Sequence, residues 1–390
     1  MRTKGRLLSA LLLLSLLQSA FNAGAQQRER VISPRTPRTN PAGPEQPLDT
    51  VRIRTRVVFI DTLVKDARTN EPVRDLTGEE FKVLDDGQPR KLSYFTRDGD
   101  SRRPLAMLLF IDIWSVYGRS ILKSANALRL LAFALNKLAP EDEVAVMTTW
   151  IEDGGALSGP VTKCRMIEGF TRDRAKTKAA LLSIPELMKE QERLLDDLAA
   201  RRSRDAGDMR LDLYWKLAEV GDEVIPLAAR FPNSQFVVVG LTDDLFELKK
   251  GEREETIKRA LEAGVTFNGL VFKKSFGTKF LIGTISKITM SPRGLSVHAA
   301  DEIAKETGGE VASVGRAEDL GRGMERFISS LMARYSLGFT LGEEERGQGR
   351  LHQLEVKVSA RDPEGRTRKL IVTARRGYYL PETAEAPAVK

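Results

Sequence analysis

Cysteine and histidine are nearly missing from this 390-residue sequence, and each shortage removes a class of chemistry. The single cysteine, Cys164, allows no intrachain disulfide, so stability has to come from a hydrophobic core. With no histidine near it in sequence, Cys164 reads as a packed residue rather than a nucleophile. The two histidines, His298 and His352, are too few for a His-rich zinc site. Any Ser-His-Asp triad would need one of them, and neither stands near a GxSxG-like serine. No GxGxxG follows the first buried strand and no GxxxxGK[ST] occurs, which disfavours nucleotide binding. Beyond the N-terminus no apolar run approaches the ~20 residues of a transmembrane helix.

What is present reads as a globular chain: 41% hydrophobic and 30% charged residues. Basic residues outnumber acidic ones, 62 to 54, but the signs interleave, as in KKGEREETIKR. No basic block is interspersed with aromatics. The pattern is a solvated surface rather than a nucleic-acid footprint. The first residues have a basic start (Arg2, Lys4, Arg6), an apolar core from Leu7 to Leu17, and the small-x-small sequence Ala23-Gly24-Ala25. These are the parts of a secretory signal peptide over residues 1–25. The expectation is an exported protein, periplasmic or extracellular, with no transmembrane segment after cleavage.

Residues 26–49 carry five prolines and few apolar residues, as a disordered linker does. From Val51 the pattern alternates apolar and polar, and Asp86-Gly87 is a hairpin signal, so residues 50–99 form a small antiparallel β unit. At Pro104 the pattern changes. PLAMLLFID is continuously apolar, as a strand buried on both faces must be, and strands then alternate with amphipathic helices. That alternation predicts an α/β domain over 100–334 with a doubly wound, mostly parallel, Rossmann-like sheet. A charged helical segment near 185–212 reads as an insertion, with Leu187, Leu194, Leu195 and Leu198 as its apolar stripe. Alternating strands return over 335–381 as a C-terminal β unit, and residues 382–390 are a disordered tail.

In such a sheet, ligands sit beyond the C-terminal ends of the strands at the topological switch point. Three oxygen-bearing segments are expected there: Asp112 with Ser115, Thr171 with Asp173 in GFTRDR, and Thr242, Asp243 and Asp244 in GLTDD. Hard oxygen donors suit Mg²⁺, Mn²⁺ or Ca²⁺ rather than zinc. In order and type these segments resemble the three parts of a von Willebrand factor type A (VWFA) domain. Its D-x-S-x-S motif, threonine and aspartate form a metal-ion-dependent adhesion site. DLTGEEFKVLDDGQPRKLSYF before the domain, and YSLGFTL, LHQLEVKVSAR and VTARRGYYLP after it, resemble VWFA-related secreted proteins common in Acidobacteria. The resemblance spans about residues 51–381. It implies Asp112, Thr171 and Asp243 as metal ligands. The two serines are replaced by Trp114 and Val116, and Ser115 stands one place out of register. In extended or tightly turned backbone that shift re-aims the side chain. A degenerate site follows, binding an ion weakly with help from Ser115, or none at all.

The resemblance implies a non-enzymatic, adhesion-type protein whose partner supplies an acidic residue to complete the metal site. Without an ion, Trp114 and Tyr117 are the candidate partner-binding anchors, since aromatic residues dominate binding hot spots. The alternatives are a metal-independent envelope scaffold, or a metal-dependent hydrolase using Asp112 and Asp243 to activate water.

Overall fold

The computed structural model describes residues 56–97, 102–155, 160–201, 215–243, 245–247, 251–273, 295–297, 299–342 and 350–380. The expected signal peptide, linker and C-terminal tail, with His298, Asp244 and residues 202–214, lie outside them. All described residues belong to one unit, Arg54–Lys390.

The chain begins with β1 (Arg56–Asp66), β2 (Phe81–Asp85), β3 (Gln88–Arg90) and β4 (Tyr94–Thr96). The α/β part follows: β5 (Leu105–Ile111), α1 (Arg119–Leu122), α2 (Ala125–Leu135), β6 (Glu143–Asp153), β7 (Pro160–Thr171) and α3 (Arg174–Arg201). It continues with β8 (Trp215–Lys216), α4 (Leu217–Val224), β9 (Gln235–Thr242), β10 (Leu245–Glu247), α5 (Glu252–Glu262) and β11 (Thr266–Phe272). Then come β12 (Leu295–Val297), α6 (Ala299–Thr307), β13 (Val311–Val314) and α7 (Ala317–Met332). The chain closes with β14 (Tyr335–Leu341), β15 (Arg350–Val358), β16 (Leu370–Thr373) and β17 (Gly377–Leu380).

The central sheet has the order β13-β11-β9-β5-β6-β7, parallel throughout except for β7 at its edge. The chain moves from β5 to β6 on one side and later returns to place β9 on the other, which puts the switch point between β5 and β9. Every residue of β5 and β9 is buried, because helices cover both faces. Side chains alternate across the sheet. Leu105, Met107, Leu109 and Ile111 join a core with α2, α3 and α7, while Ala106, Leu108 and Phe110 join Val224, Ala228 and Ala260. The fold is therefore the expected doubly wound α/β class.

Up to Arg201, the segment expected as an insertion is the continuation of α3, which starts at Arg174 after β7. Leu195 and Leu198 are buried against the domain, and Leu187 and Leu194 pack beside them. Gln191, buried on the same face, accepts from Ile151 N (2.7 Å) and so occupies a backbone donor of β6. Apolar spacing alone cannot tell an insertion from a crossover helix.

The two expected β units are one module. β1 pairs antiparallel with β14 from Arg56↔Leu341 to Thr62↔Tyr335, then with β16. β2 pairs with β15 from Phe81↔Val358 to Asp85↔Leu354. Two four-stranded sheets result, β16-β1-β14-β4 and β17-β15-β2-β3, each drawing strands from both ends of the chain. Between them lies one core that includes Ile60, Phe81, Val83, Tyr335, Phe339 and Tyr378. A hairpin-sized unit buries too little apolar surface to stand alone, so the two halves complete each other. This sandwich is tied to the end of the central sheet where strands begin. Arg103 pairs with Asp61 (2.7 Å), Arg334 donates to Gly308 O (2.7 Å), and Lys65 is ion-paired with Glu310.

Candidate functional site

At the opposite end of the sheet, β5 and β9 finish side by side with Ile111 opposite Leu241. Asp112 N donates to Leu241 O (2.9 Å), extending the ladder by one residue. The two strands thus deliver Asp112 and Asp243, both buried, to the switch point. Apolar strands that end in a carboxylate produce this placement directly.

The chain from Ile113 to Gly118 then arches over the edge. Asp112 Oδ1 accepts from Trp114 N (3.0 Å) and Thr149 Oγ1 (3.3 Å), and the Thr149 hydroxyl accepts from Ile113 N (2.9 Å). Asp243 reaches the arch from the other strand. Its Oδ1 accepts from Ser115 Oγ (2.5 Å), its Oδ2 from Val116 N (2.5 Å), and Tyr117 N lies 3.1 and 3.2 Å from the two oxygens. Ser115 Oγ in turn accepts from Gly118 N (2.7 Å). One carboxylate therefore fixes three successive residues of the loop.

Burial pushes the Asp243 carboxyl up, and the Ser115 hydroxyl and loop amides oppose that rise. The Tyr117 hydroxyl is pushed up to about 12 by burial first and by the Asp243 carboxylate second. Gly118 is required by close approach rather than by its dihedral: a Cβ there would come within 2.3 Å of the Phe272 ring and 2.5 Å of Ser115 Oγ. Trp114 and Ile113 are buried in the main core and anchor the arch, whereas Val116 at its crest is 47% exposed.

Of the residues expected from sequence, Asp112, Ser115 and Asp243 come together. Thr171 does not. It pairs with Val144 near the start of β6, while Asp112 lies past Ile111, which is opposite Thr148. Four residues of strand, ~13 Å, separate those levels. The cause is the direction of β7: an antiparallel strand ends at the edge where its neighbours begin. There Thr171 Oγ1 accepts from Asp173 N (3.1 Å), and Asp173 caps α3 by accepting from Ala175 N (2.9 Å).

Trp114 is likewise corrected as an exposed anchor, because only 5% of it is accessible and it fills the core beneath the arch. Tyr117 is half-buried against the same core. Sequence reasoning missed Thr149, for which the signal was the Thr148-Thr149 pair interrupting the apolar strand EVAVMTTW. It also missed Val116 as the exposed crest. Cys164 packs beside Met166 and Phe170 as expected of a core-side residue.

The donor set does not fit a hard cation, which needs lone pairs that face it unopposed. Asp112 Oδ1, both oxygens of Asp243 and Ser115 Oγ face N–H or O–H donors instead. The amides of Trp114, Val116 and Tyr117 shape the arch as a receptor for the carboxylates of Asp112 and Asp243. A different group of metal-ligating atoms lies in the sandwich, where Asp85, Asp86 and His352 have donor atoms within 4.8 Å of one another.

No family model matches the chain, and no curated protein is similar to it. Among solved structures, the human COPII-coat protein Sec24c is 12% identical with a TM-score of 0.36, over 72% of this chain and 44% of that one. The chain thus spans less than half the length of that coat protein. The von Willebrand factor type A protein from Catenulispora acidiphila is 10% identical with a TM-score of 0.37, over 78% and 74% of the two chains. The SpRpn10 VWA domain is 14% identical with a TM-score of 0.32, over 56% and 93%. Two of these three carry VWFA-type domains by name; at such identities and TM-scores the likeness carries no argument about function, and the α/β class rests on this chain's own strand order.

Proposed function

We propose that this chain is an exported, non-enzymatic protein-interaction protein whose α/β domain presents the arch 113–118 to a protein partner without an ion. The observation that carries this reading is the seating of the Asp243 carboxylate on Ser115, Val116 and Tyr117. A loop fixed in this way loses little conformational entropy on binding, which leaves more of the contact energy as affinity. Its crest offers exposed, apolar Val116 beside half-buried Tyr117, a small hydrophobic contact. The same seating weighs against water activation by Asp112 and Asp243, since oxygens engaged as acceptors are poorly placed to take a proton. Export rests on the N-terminal sequence, and the resemblance to secreted VWFA-related proteins belongs to the same reading.

A photo-reactive amino acid at position 116, compared with one at Arg172 on the opposite sheet edge, tests the proposal in native cells. Crosslinks to one protein from position 116, unchanged by chelator and missing from position 172, are the expected result. Equal crosslinking from both positions, or loss on chelation, would contradict it.

A further inference from the structure

The sandwich contains a cluster that the arch does not use. The β2–β3 hairpin turns at Asp86 and Gly87, both left-handed (φ 49° and 80°). This throws the Asp86 carboxylate across to β15, where Gln353 N donates to Oδ1 (2.9 Å) and Asp86 N donates to Gln353 O (2.8 Å). Beneath it lie Asp85 and His352, 2% and 3% exposed. His352 Nδ1 stands 3.1 Å from Asp86 Oδ2 and 3.5 Å from Asp85 Oδ1. Neither approach has hydrogen-bond direction. Both ring nitrogens of His352, and Asp85 Oδ1, lack a hydrogen-bond partner among the described residues. An unsatisfied buried polar atom costs about 1–3 kcal/mol, and two of these three, His352 Nδ1 and Asp85 Oδ1, lie 3.5 Å apart, where one ligand can serve both.

The remaining contacts act as supports. Asp85 Oδ2 accepts from Arg90 Nη2 (2.7 Å), Arg90 Nε (3.0 Å) and the Tyr378 hydroxyl (3.0 Å), which aims Oδ1 toward His352. The His352 ring stacks on Tyr378 with centroids 4.8 Å apart. Arg350 pairs with Asp86 Oδ2 (2.8 Å) from a half-exposed position, where it can swing into solvent.

We propose that Asp85, Asp86 and His352 form a binding site for a divalent transition-metal ion of the zinc class, with His352 Nδ1, Asp85 Oδ1 and Asp86 Oδ2 as ligands and solvent completing the shell. One imidazole with two carboxylates is a donor set that zinc accepts and that magnesium and calcium do not favour. Ligands about 2.0–2.2 Å from a tetrahedral ion stand about 3.3–3.6 Å from one another, close to the two spacings here. Arg90 and Tyr378 are the outer groups that orient a ligating carboxylate. Because Asp85 and Asp86 come from the N-terminal half of the sandwich and His352 from the C-terminal half, the ion fastens the two ends of the chain together.

The test is titration of the chelator-treated full chain with Zn²⁺ by calorimetry and with Co²⁺ by visible d–d absorption. Asp86→Asn keeps an exposed turn residue of the same size and isolates the ligand role from folding; His352→Gln is the second variant. The expected result is one saturable site in the wild type, weakened about tenfold or more in Asp86→Asn and unaltered in Asp243→Asn. No saturable binding in the wild type, binding indifferent to both Asp86→Asn and His352→Gln, or loss in Asp243→Asn would overturn the assignment. The Asp243→Asn arm keeps this outcome separate from that of the interaction reading.

Discussion

Ser115 holds two partners at once, donating to Asp243 and accepting from Gly118 N. Ser115→Ala removes both and leaves a buried carboxylate short of a donor. The expected cost is about 1–3 kcal/mol in denaturant unfolding. Asp243 itself predicts a pH dependence. Burial raises its folded-state value above the ordinary 3.8, so the folded chain holds that proton more tightly than the unfolded chain does. The stability it contributes is complete below pH 3.8 and lost as pH rises through the raised folded value. Asp243→Asn lacks this titration. The stability difference, wild type minus variant, therefore falls across that window and is flat above it; a difference that climbs with pH would show the loop's hydrogen bonds outweighing burial. Asp112 and Asp243 were legible in the sequence because apolar runs ended in them. The burial of Trp114 was not, since a hydrophobic side chain after a strand can fold under a loop or stand out from it with the same local pattern.

At the scale of elements, the β2–β3 turn and the direction of β7 show what local patterns carry. Asp86-Gly87 is a short-range signal with a backbone cause, and the structure has left-handed dihedrals at both positions. Gly87→Ala is expected to cost about 1–2 kcal/mol, read as a lower denaturant midpoint with an unchanged slope. The direction of β7 has no such signal. Its alternation fixes which side chains face inward but says nothing of which neighbour it joins or which way it runs, and Thr171 was misplaced for that reason. The same limit hid the pairing of β1 with β14 across almost the whole chain. Strands so far apart in sequence leave no mark of partnership in either segment.

For the whole molecule, a sandwich woven from both chain ends sits where the central strands begin, and the arch sits where they end. The α/β class was legible because its strand–helix alternation is local; the merging of the flanking β units was not. Ending the chain after Leu341 removes β15, β16 and β17, leaves β2 with β3 alone and strips part of β1 of its partner. Limited proteolysis of that truncation should cut within residues 56–96 while β5 through α7 stay protected. Protection of both regions would show that the N-terminal strands fold without the C-terminal ones.

The account turns on Asp243 organising the arch in place of an ion, and amide NMR of Val116 and Tyr117 during Mg²⁺ titration tests it most directly. Into the millimolar range where weak oxygen sites fill, these two resonances should stay in place. Saturable shifts at both amides, abolished in Asp112→Ala and Asp243→Ala, would contradict it.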